Sequence, residues 1–138
     1  MGAMTNCDSS ESILISILMN CYNGETFLQE AIESLFAQTY QNWELIFWDN
    51  QSTDRSSEIV NDYSDKRIKY FFSTTHTILG DARRDAIKKA KGDWIGILDC
   101  DDAWYPTKLQ DQLDIIQEER QKDILLGLVY GRVMGLDK

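Results

Sequence analysis

The sequence predicts an α/β protein, an open and mostly parallel sheet with helices on both faces. Three observations predict it. Short apolar runs recur without the alternation of a half-buried strand, as at Ile13–Met19 and Leu45–Trp48; strands covered on both faces read this way. Between the runs, apolar residues recur at helical spacing. Each run ends in a polar turn, and repeated strand-turn-helix units build parallel sheets.

The elements follow in order. Ile13–Met19 is the first strand, and Asn20-Cys21-Tyr22-Asn23-Gly24 after it carries turn and cap chemistry. A helix is expected from Glu25: Phe27, Ala31, Leu35 and Leu28, Ile32, Phe36 form two adjacent rows, with Glu30 and Glu33 opposite. Leu45–Trp48 is the second strand, closed by Asp49, and Ser52, Thr53 and Asp54 in the next turn are helix N-cap residues. Ser56–Tyr63 has Ile59, Val60 and Tyr63 at helical spacing, and Ile68–Phe72 is β-branched and aromatic, hence a strand. Ser73–Gly80 is a polar loop. Asp81–Lys91 reads as a helix with acids first and bases last, complementing the dipole, and Gly92 as its stop. Trp94–Leu98 is a fourth strand ending in Asp99-Cys100-Asp101-Asp102. Pro106 opens a last helix that buries Leu109, Leu113 and Ile116, and Ile124–Tyr130 is read as a fifth strand.

The chain of 138 residues is 43% hydrophobic and 11% aromatic, which excludes a disordered polymer. No apolar run approaches the roughly 20 residues of a membrane span. Met1-Gly2-Ala3-Met4 reads as an expression scar leading a flexible N-terminus to residue 12, with no secretory signal, and residues 13–138 read as one unit. Net charge is −9: residues 1–54 carry eight acids and no Lys or Arg, while residues 55–138 carry 14 bases against 15 acids. A nucleic-acid partner, which requires a basic footprint, is excluded on this pattern, and a phosphate-bearing ligand would need a metal cation. Cys7, Cys21 and Cys100 form no CxxC pair, so neither a disulfide framework nor a zinc site is read, and free thiols fit a cytoplasmic location.

Ligands of open α/β sheets sit beyond the carboxyl ends of the strands. There this chain places Asn20–Gly24, Asp49–Asp54 and Asp99–Asp102. Three carboxylates in four residues repel one another unless something positive lies among them, and such oxygen donors suit Mg²⁺ or Mn²⁺. Asp99 and Asp101 point to one side of an extended chain and form the natural pair, the alternative being a capping turn. Asp49 is either a turn residue or a ligand contact. Arg83 shares a face with Ile87 and Ala90 and is placed to meet a phosphate or a base carbonyl, whereas Arg84 reads as the partner of a local carboxylate. His76, the one histidine, reads as a loop residue, so no Ser-His-Asp triad or histidine zinc site is assembled.

At these residues the sequence resembles family 2 glycosyltransferases of GT-A fold. The resemblance lies in Ile17–Gly24, Ala31–Tyr40, Asp49–Asp54, Gly80–Arg84, Ala90–Asp102 and Trp104–Leu109, six blocks in order across residues 13–120. It implies the Rossmann-like nucleotide-binding half of a transferase that takes a nucleotide-diphospho-sugar, a UDP-sugar by expectation, in polysaccharide biosynthesis. It implies that Asp49 recognises the base and that Asp99-Cys100-Asp101 is the Asp-x-Asp motif. Asp101 would then be the direct ligand of Mn²⁺ or Mg²⁺, with Asp99 nearer the ribose or supporting the metal. It also implies that Arg83 approaches the base and that Cys21, Tyr22 and Asn23 flank the nucleoside. The chain departs from the family at Asn20, where many members have proline, at Arg84, where many have asparagine, and at Asn50-Gln51 in place of Asp-Gly. These departures bear on base choice.

The resemblance further implies a carbohydrate or lipid-linked acceptor in the parent protein. It implies that residues 13–138 are shortened at the C-terminus, without acceptor site or catalytic base, and that the exposed surface favours a homo-oligomer. Two other classes share part of the pattern: a non-catalytic nucleotide-sugar-binding module, and a flavodoxin-like phosphoacceptor signalling domain. The latter wants acids after the first strand and a lysine after the fifth; Asn20–Gly24 holds no acid and Tyr130-Gly131 no lysine.

Overall fold

The structure, a computed structural model, describes residues 12–123 and 127–129. Eight elements follow in chain order: β1 (Ile15–Cys21), α1 (Leu28–Phe36), β2 (Trp43–Asp49), α2 (Ser56–Asn61), β3 (Ile68–Phe72), α3 (Leu79–Ile87), β4 (Trp94–Ile97) and α4 (Lys108–Gln121). The strands form one parallel sheet in the order β3-β2-β1-β4, with Ile15 paired to Trp43 on one side and to Trp94 on the other. This is the 3-2-1-4 order of dinucleotide-binding sheets, not the 2-1-3 order of flavodoxin-like domains. The chain reverses direction across the sheet between β1 and β4, so a crevice opens at their carboxyl ends.

All seven residues of β1 are buried. Ile15, Ile17, Met19 and Cys21 face α1, α2 and α4, joining Leu28, Ala31, Ile32, Leu35, Val60, Leu109, Leu113 and Ile116 in the main core. Leu18, with Ile46 beside it, faces the other way, onto Ala86 of α3. The expected helices on both faces are therefore present, three on one and α3 alone on the other. β4 is an edge strand among the described residues, and its Ile95 and Ile97 are 42% and 49% exposed.

Several boundaries differ from expectation for identifiable reasons. α1 begins at Leu28 rather than Glu25 because Gly24 O accepts from both Phe27 N–H and Leu28 N–H, closing a turn first. α3 runs Leu79–Ile87 rather than Asp81–Lys91. It starts after an extended Ile78, and its stop is tertiary. Glu44 and Ser16 are buried side by side on β2 and β1, Ser16 Oγ donating to Glu44 Oε1 at 2.6 Å. They capture Lys91 N–H (Glu44 Oε1, 2.8 Å) and Gly92 N–H (Ser16 Oγ, 2.8 Å).

Gly92 is accordingly no left-handed cap, since no described glycine has positive φ. It is glycine because a Cβ there would lie 2.6 Å from Ser16 N and 2.7 Å from Leu14 O, both backbone atoms. Pro106 precedes α4 by a turn; α4 begins at Lys108, where Gln38, at the end of α1, donates to Tyr105 O (2.7 Å) and accepts from Leu109 N–H (3.0 Å). Of the strand expected over Ile124–Tyr130, residues 124–126 and 130 lie outside the described residues, and residues 127–129 form no strand. The expected N-terminal segment lies outside them up to residue 11.

The two kinds of glycine make a paired test. Gly92→Ala should cost about 1–3 kcal/mol, because backbone on two sides must move. Gly80, inside α3 with nothing within 4 Å of a Cβ, should gain about 0.5–1 kcal/mol on replacement by Ala. Urea denaturation midpoints of the two variants moving in opposite directions is the expected outcome.

Candidate functional site

The carboxyl ends of β1, β2 and β4 converge with the loop before α3. The first two loops are laced together by side chains. Asn23 N–H donates to Ser52 Oγ (3.0 Å), Thr53 N–H to Asn23 Oδ1 (2.8 Å), Gly24 N–H to Ser56 Oγ (3.0 Å) and Glu25 N–H to Asp54 Oδ2 (2.9 Å). Asp54 Oδ1 also accepts from Ser56 N–H at the start of α2 (3.0 Å), but the N-cap position is Arg55, without a side-chain cap bond, and Ser52 and Thr53, expected as caps, tie the turn to Asn23 instead. Asn23 reaches Thr53 with φ of 52°, a conformation Asn tolerates.

Asp49 lies at the end of β2 and is fully buried. Oδ1 accepts from Ser52 N–H (2.7 Å) and Oδ2 from the Tyr70 hydroxyl (2.7 Å). Burial first, then the hydrogen bond to Asp49, push the Tyr70 phenol far above the ordinary tyrosine range. Both groups anchor the β2–β3 edge of the site.

The acidic turn after β4 shows how its charges coexist. Arg83 of α3 donates to Asp99 Oδ1 at 2.6 Å, so one carboxylate of the triplet is neutralised from the facing helix. Arg83 thus meets the Asp-x-Asp segment directly. Arg84 pairs with Asp81 of its own helix at 2.9 Å, as its position predicts. Asp101 and Asp102 are exposed, and Asp102 N–H closes the turn onto Asp99 O (3.0 Å). Among the described residues no three His, Cys, Asp or Glu side chains are grouped to hold a metal unaided.

Between the ends of β1 and β2 and the start of α3 lies a pocket of about 350 Å³, lined by Asn20, Cys21, Tyr22, Asn50, His76 and Ala82 among others. His76 lies in a loop, as expected, and also borders the pocket. Its ring packs edge-on against Tyr22 (centroids 4.4 Å apart), and its Nδ1 lies 2.9 Å from Asn50 O. Asn50 in turn donates to Thr77 O (2.7 Å) and accepts from Thr77 N–H (3.1 Å), holding the loop over the pocket. A lone histidine has no periodicity to mark it; the only sequence signal was its position before the Arg83 helix. The Asn20 amide is 8% exposed, and its Nδ2 and Oδ1 have no partner; neither does buried Arg83 Nε, nor Nε1 of Trp48, the residue paired with Asn20 across the β1–β2 ladder.

Cys21 and Cys100 meet at the crevice, and both are free thiols. A Cβ on Gly24 would lie 2.8 Å from Cys21 Sγ and 2.9 Å from Cys100 Sγ, so glycine there leaves room for the pair. The Cys100 contact, helped by Ser56 and Gly24, outweighs burial and lowers the Cys21 thiol to about 7, while the same contact and burial push Cys100 up. Cys7 lies outside the described residues.

Comparison with known proteins adds a common theme. The family model for Glycosyl transferase family 2 matches residues 16–137. An uncharacterized glycosyltransferase of Haemophilus influenzae is 46% identical over 105 residues, 75% of this chain and 42% of its own length. The Escherichia coli UDP-Glc:alpha-D-GlcNAc-diphosphoundecaprenol beta-1,3-glucosyltransferase WfgD is 38% identical over 121 residues, 88% of this chain and 46% of its own. The crystal structure of S. aureus TarS 1-349 in complex with UDP-GlcNAc superposes with a TM-score of 0.75 at 28% identity, covering 78% of this chain and 32% of that one. The chain therefore spans less than half the length of these relatives.

The Asp49–Tyr70 pair is testable by pH. Tyr70 has a folded pKa above the unfolded value of about 10. Its contribution to stability is intact below that pH and is lost as pH rises further, because only the unfolded chain releases the proton. Tyr70→Phe should remove this alkaline loss. At neutral pH it should cost about 1–3 kcal/mol, because the buried Asp49 Oδ2 loses its donor. Denaturation at about pH 8 and about pH 11, wild type against variant, reads both effects.

Proposed function

The chain belongs to glycosyl transferase family 2, and on that premise we propose that its strand-end site binds a nucleotide-diphospho-sugar, a UDP-sugar by preference, with a divalent cation. The observation that carries the reading is the set of buried, unpartnered polar atoms on Asn20 and Arg83 beside the Asp99–Asp101 turn. Each such atom costs about 1–3 kcal/mol unless something polar meets it. An amide presents a donor group and an acceptor side by side in a plane, which matches the edge of a nucleobase.

The donor set fits a hard cation. Asp99 and Asp101 are carboxylates, and two carboxylates with substrate phosphates and water are a usual coordination for Mg²⁺ or Mn²⁺. The absence of a third ligand among the described residues means that the diphosphate would complete the shell, so cation and nucleotide should bind together. Once bound, such a cation would neutralise the diphosphate as a leaving group. In this proposal Asp101 is the direct ligand, and Asp99, already held by Arg83, is aimed toward ribose and metal. Tyr22, carried on the same loop as Cys21 and Asn23, offers its ring to the base. Asp49 is the proposed base-recognition residue; because it is fully buried with both oxygens engaged, the base would reach it only as the Ser52 turn moves aside.

Transfer of the sugar belongs to the same proposal for the whole protein, with a carbohydrate or lipid-linked acceptor, as the name of WfgD states for that enzyme. Polysaccharide biosynthesis in the cytoplasm is the setting proposed. No helix among the described residues is long and apolar enough to cross a membrane. No described residue is assigned as acceptor base. Self-association through the exposed Ile95 and Ile97 edge is part of the proposal.

Calorimetric titration with UDP tests the donor reading. Affinity should be at least about 10-fold higher with Mn²⁺ than with EDTA, and Asp101→Ala should remove most of that difference. Asp49→Ala should weaken nucleotide binding about 10-fold while leaving the metal dependence in place. Equal affinity with and without metal would overturn the reading.

A further inference from the structure

We propose that Cys21 and Cys100 form an oxidative modification site, closing to a disulfide when a hydroperoxide removes two electrons, and that this bridge shuts the nucleotide site. The second half rests on the donor-site reading above; the first stands on geometry.

The β1–β4 ladder pairs Ile15 with Trp94 and Leu18 with Ile97, and Leu98 N–H continues it onto Leu18 O (3.0 Å). The same offset carried onward sets Cys100 beside Cys21. Neighbouring strands lie about 4.7–4.9 Å apart, inside the roughly 4.4–6.8 Å Cα window of disulfides. Both sulfurs already converge on one point above Gly24. Cys21 also meets Ser56 Oγ at 3.6 Å, with Ser52 and the Gly24 backbone nearby.

Peroxide reaches the pair from the Cys100 side, which is partly exposed where Cys21 is 1% exposed. One sulfur of the pair attacks one peroxide oxygen, the O–O bond breaks and water leaves, giving a sulfenic acid. The other sulfur then attacks that sulfur, the S–O bond breaks, the S–S bond forms and a second water leaves. Two thiol protons and one peroxide molecule yield two waters and one disulfide. Disulfides in reducing compartments are mostly transient and redox-sensing. This one would tie the loop carrying Tyr22 to the turn carrying Asp99 and Asp101, fixing the crevice that a nucleotide must enter.

The full chain, reduced and then treated with hydrogen peroxide, should be alkylated, digested and examined by mass spectrometry. The expected result is a peptide pair joining Cys21 to Cys100, lighter by two hydrogens and released by dithiothreitol. Cys7→Ser should still give it, and Cys100→Ser should not. UDP binding in Mn²⁺ should be lost in the oxidised protein and return on reduction, while peroxide should leave the affinity of Cys100→Ser where it was before treatment. Higher oxides on Cys100, or bridges to Cys7, with no Cys21–Cys100 pair would overturn the site. A bridged protein that binds UDP as tightly as the reduced one would overturn the closure. If the reduced protein binds no nucleotide, the donor reading fails, and mass alone still decides whether the bridge forms.

Discussion

β1 has no free side. Ile15 through Cys21 are buried without exception, β2 and β4 take both of its edges, and helices take both of its faces. A strand enclosed in this way has to satisfy every backbone group inside the sheet, so its apolar content is nearly continuous. Two polar residues interrupt it, and each has a distinct part. Ser16 is buried with its hydroxyl fully used, joining β1 to Glu44 and to the chain entering β4. Asn20, at the other end of the strand, has an unused amide. The first holds the sheet together at its closed end; the second lines the pocket at its open end.

Electrostatics at the open end are organised by partition. The net charge of −9 would make a cluster of carboxylates self-repelling. Asp49 is removed from the surface and given two donors, Asp54 is spent on the backbone N–H groups of Glu25 ahead of α1 and Ser56 at the start of α2, and Asp99 is matched by Arg83. Asp101 and Asp102 keep an exposed position. The acids thus divide into those that build the walls and those left facing solvent. That division is invisible in a linear count.

What the sequence made legible was whatever depends on neighbours in the chain. The run around β1, the β-branched stretch of β3 and the spacing of Leu109, Leu113 and Ile116 all stood where local pattern put them. The order of strands agreed with right-handed crossovers, since α3 must return over the opposite face from α1 and α2 to reach β1's free edge. The loops that converge at the crevice were legible because turn residues and acids cluster at strand ends. Contacts made across the fold were illegible. Gly92 looked like a helix stop and is a point of close backbone approach to β1. Glu44, one residue ahead of the strand expected at Leu45–Trp48, is buried and takes a backbone N–H from far along the chain. His76 had no pattern of its own, because its place depends on Asn50 and Tyr22. Arg83 was expected near a base, and its ion pair with Asp99 follows from where α3 crosses the sheet.

Gln38 has a wider effect than its single amide suggests. By gripping Tyr105 O and Leu109 N–H it pins the start of α4 to the end of α1, while Leu98 is pinned to β1. The acidic turn is therefore a bridge of fixed span between two abutments. Inserted or deleted residues there would have no slack to absorb them, so variation across evolution in this segment should be confined to substitutions. The loop ahead of α3, with Thr74, Thr75 and His76 exposed, is held instead by Asn50 and Gln51 of the turn after β2. A lineage that changes the length of this wall must change those two residues with it, while the opposite wall keeps its length.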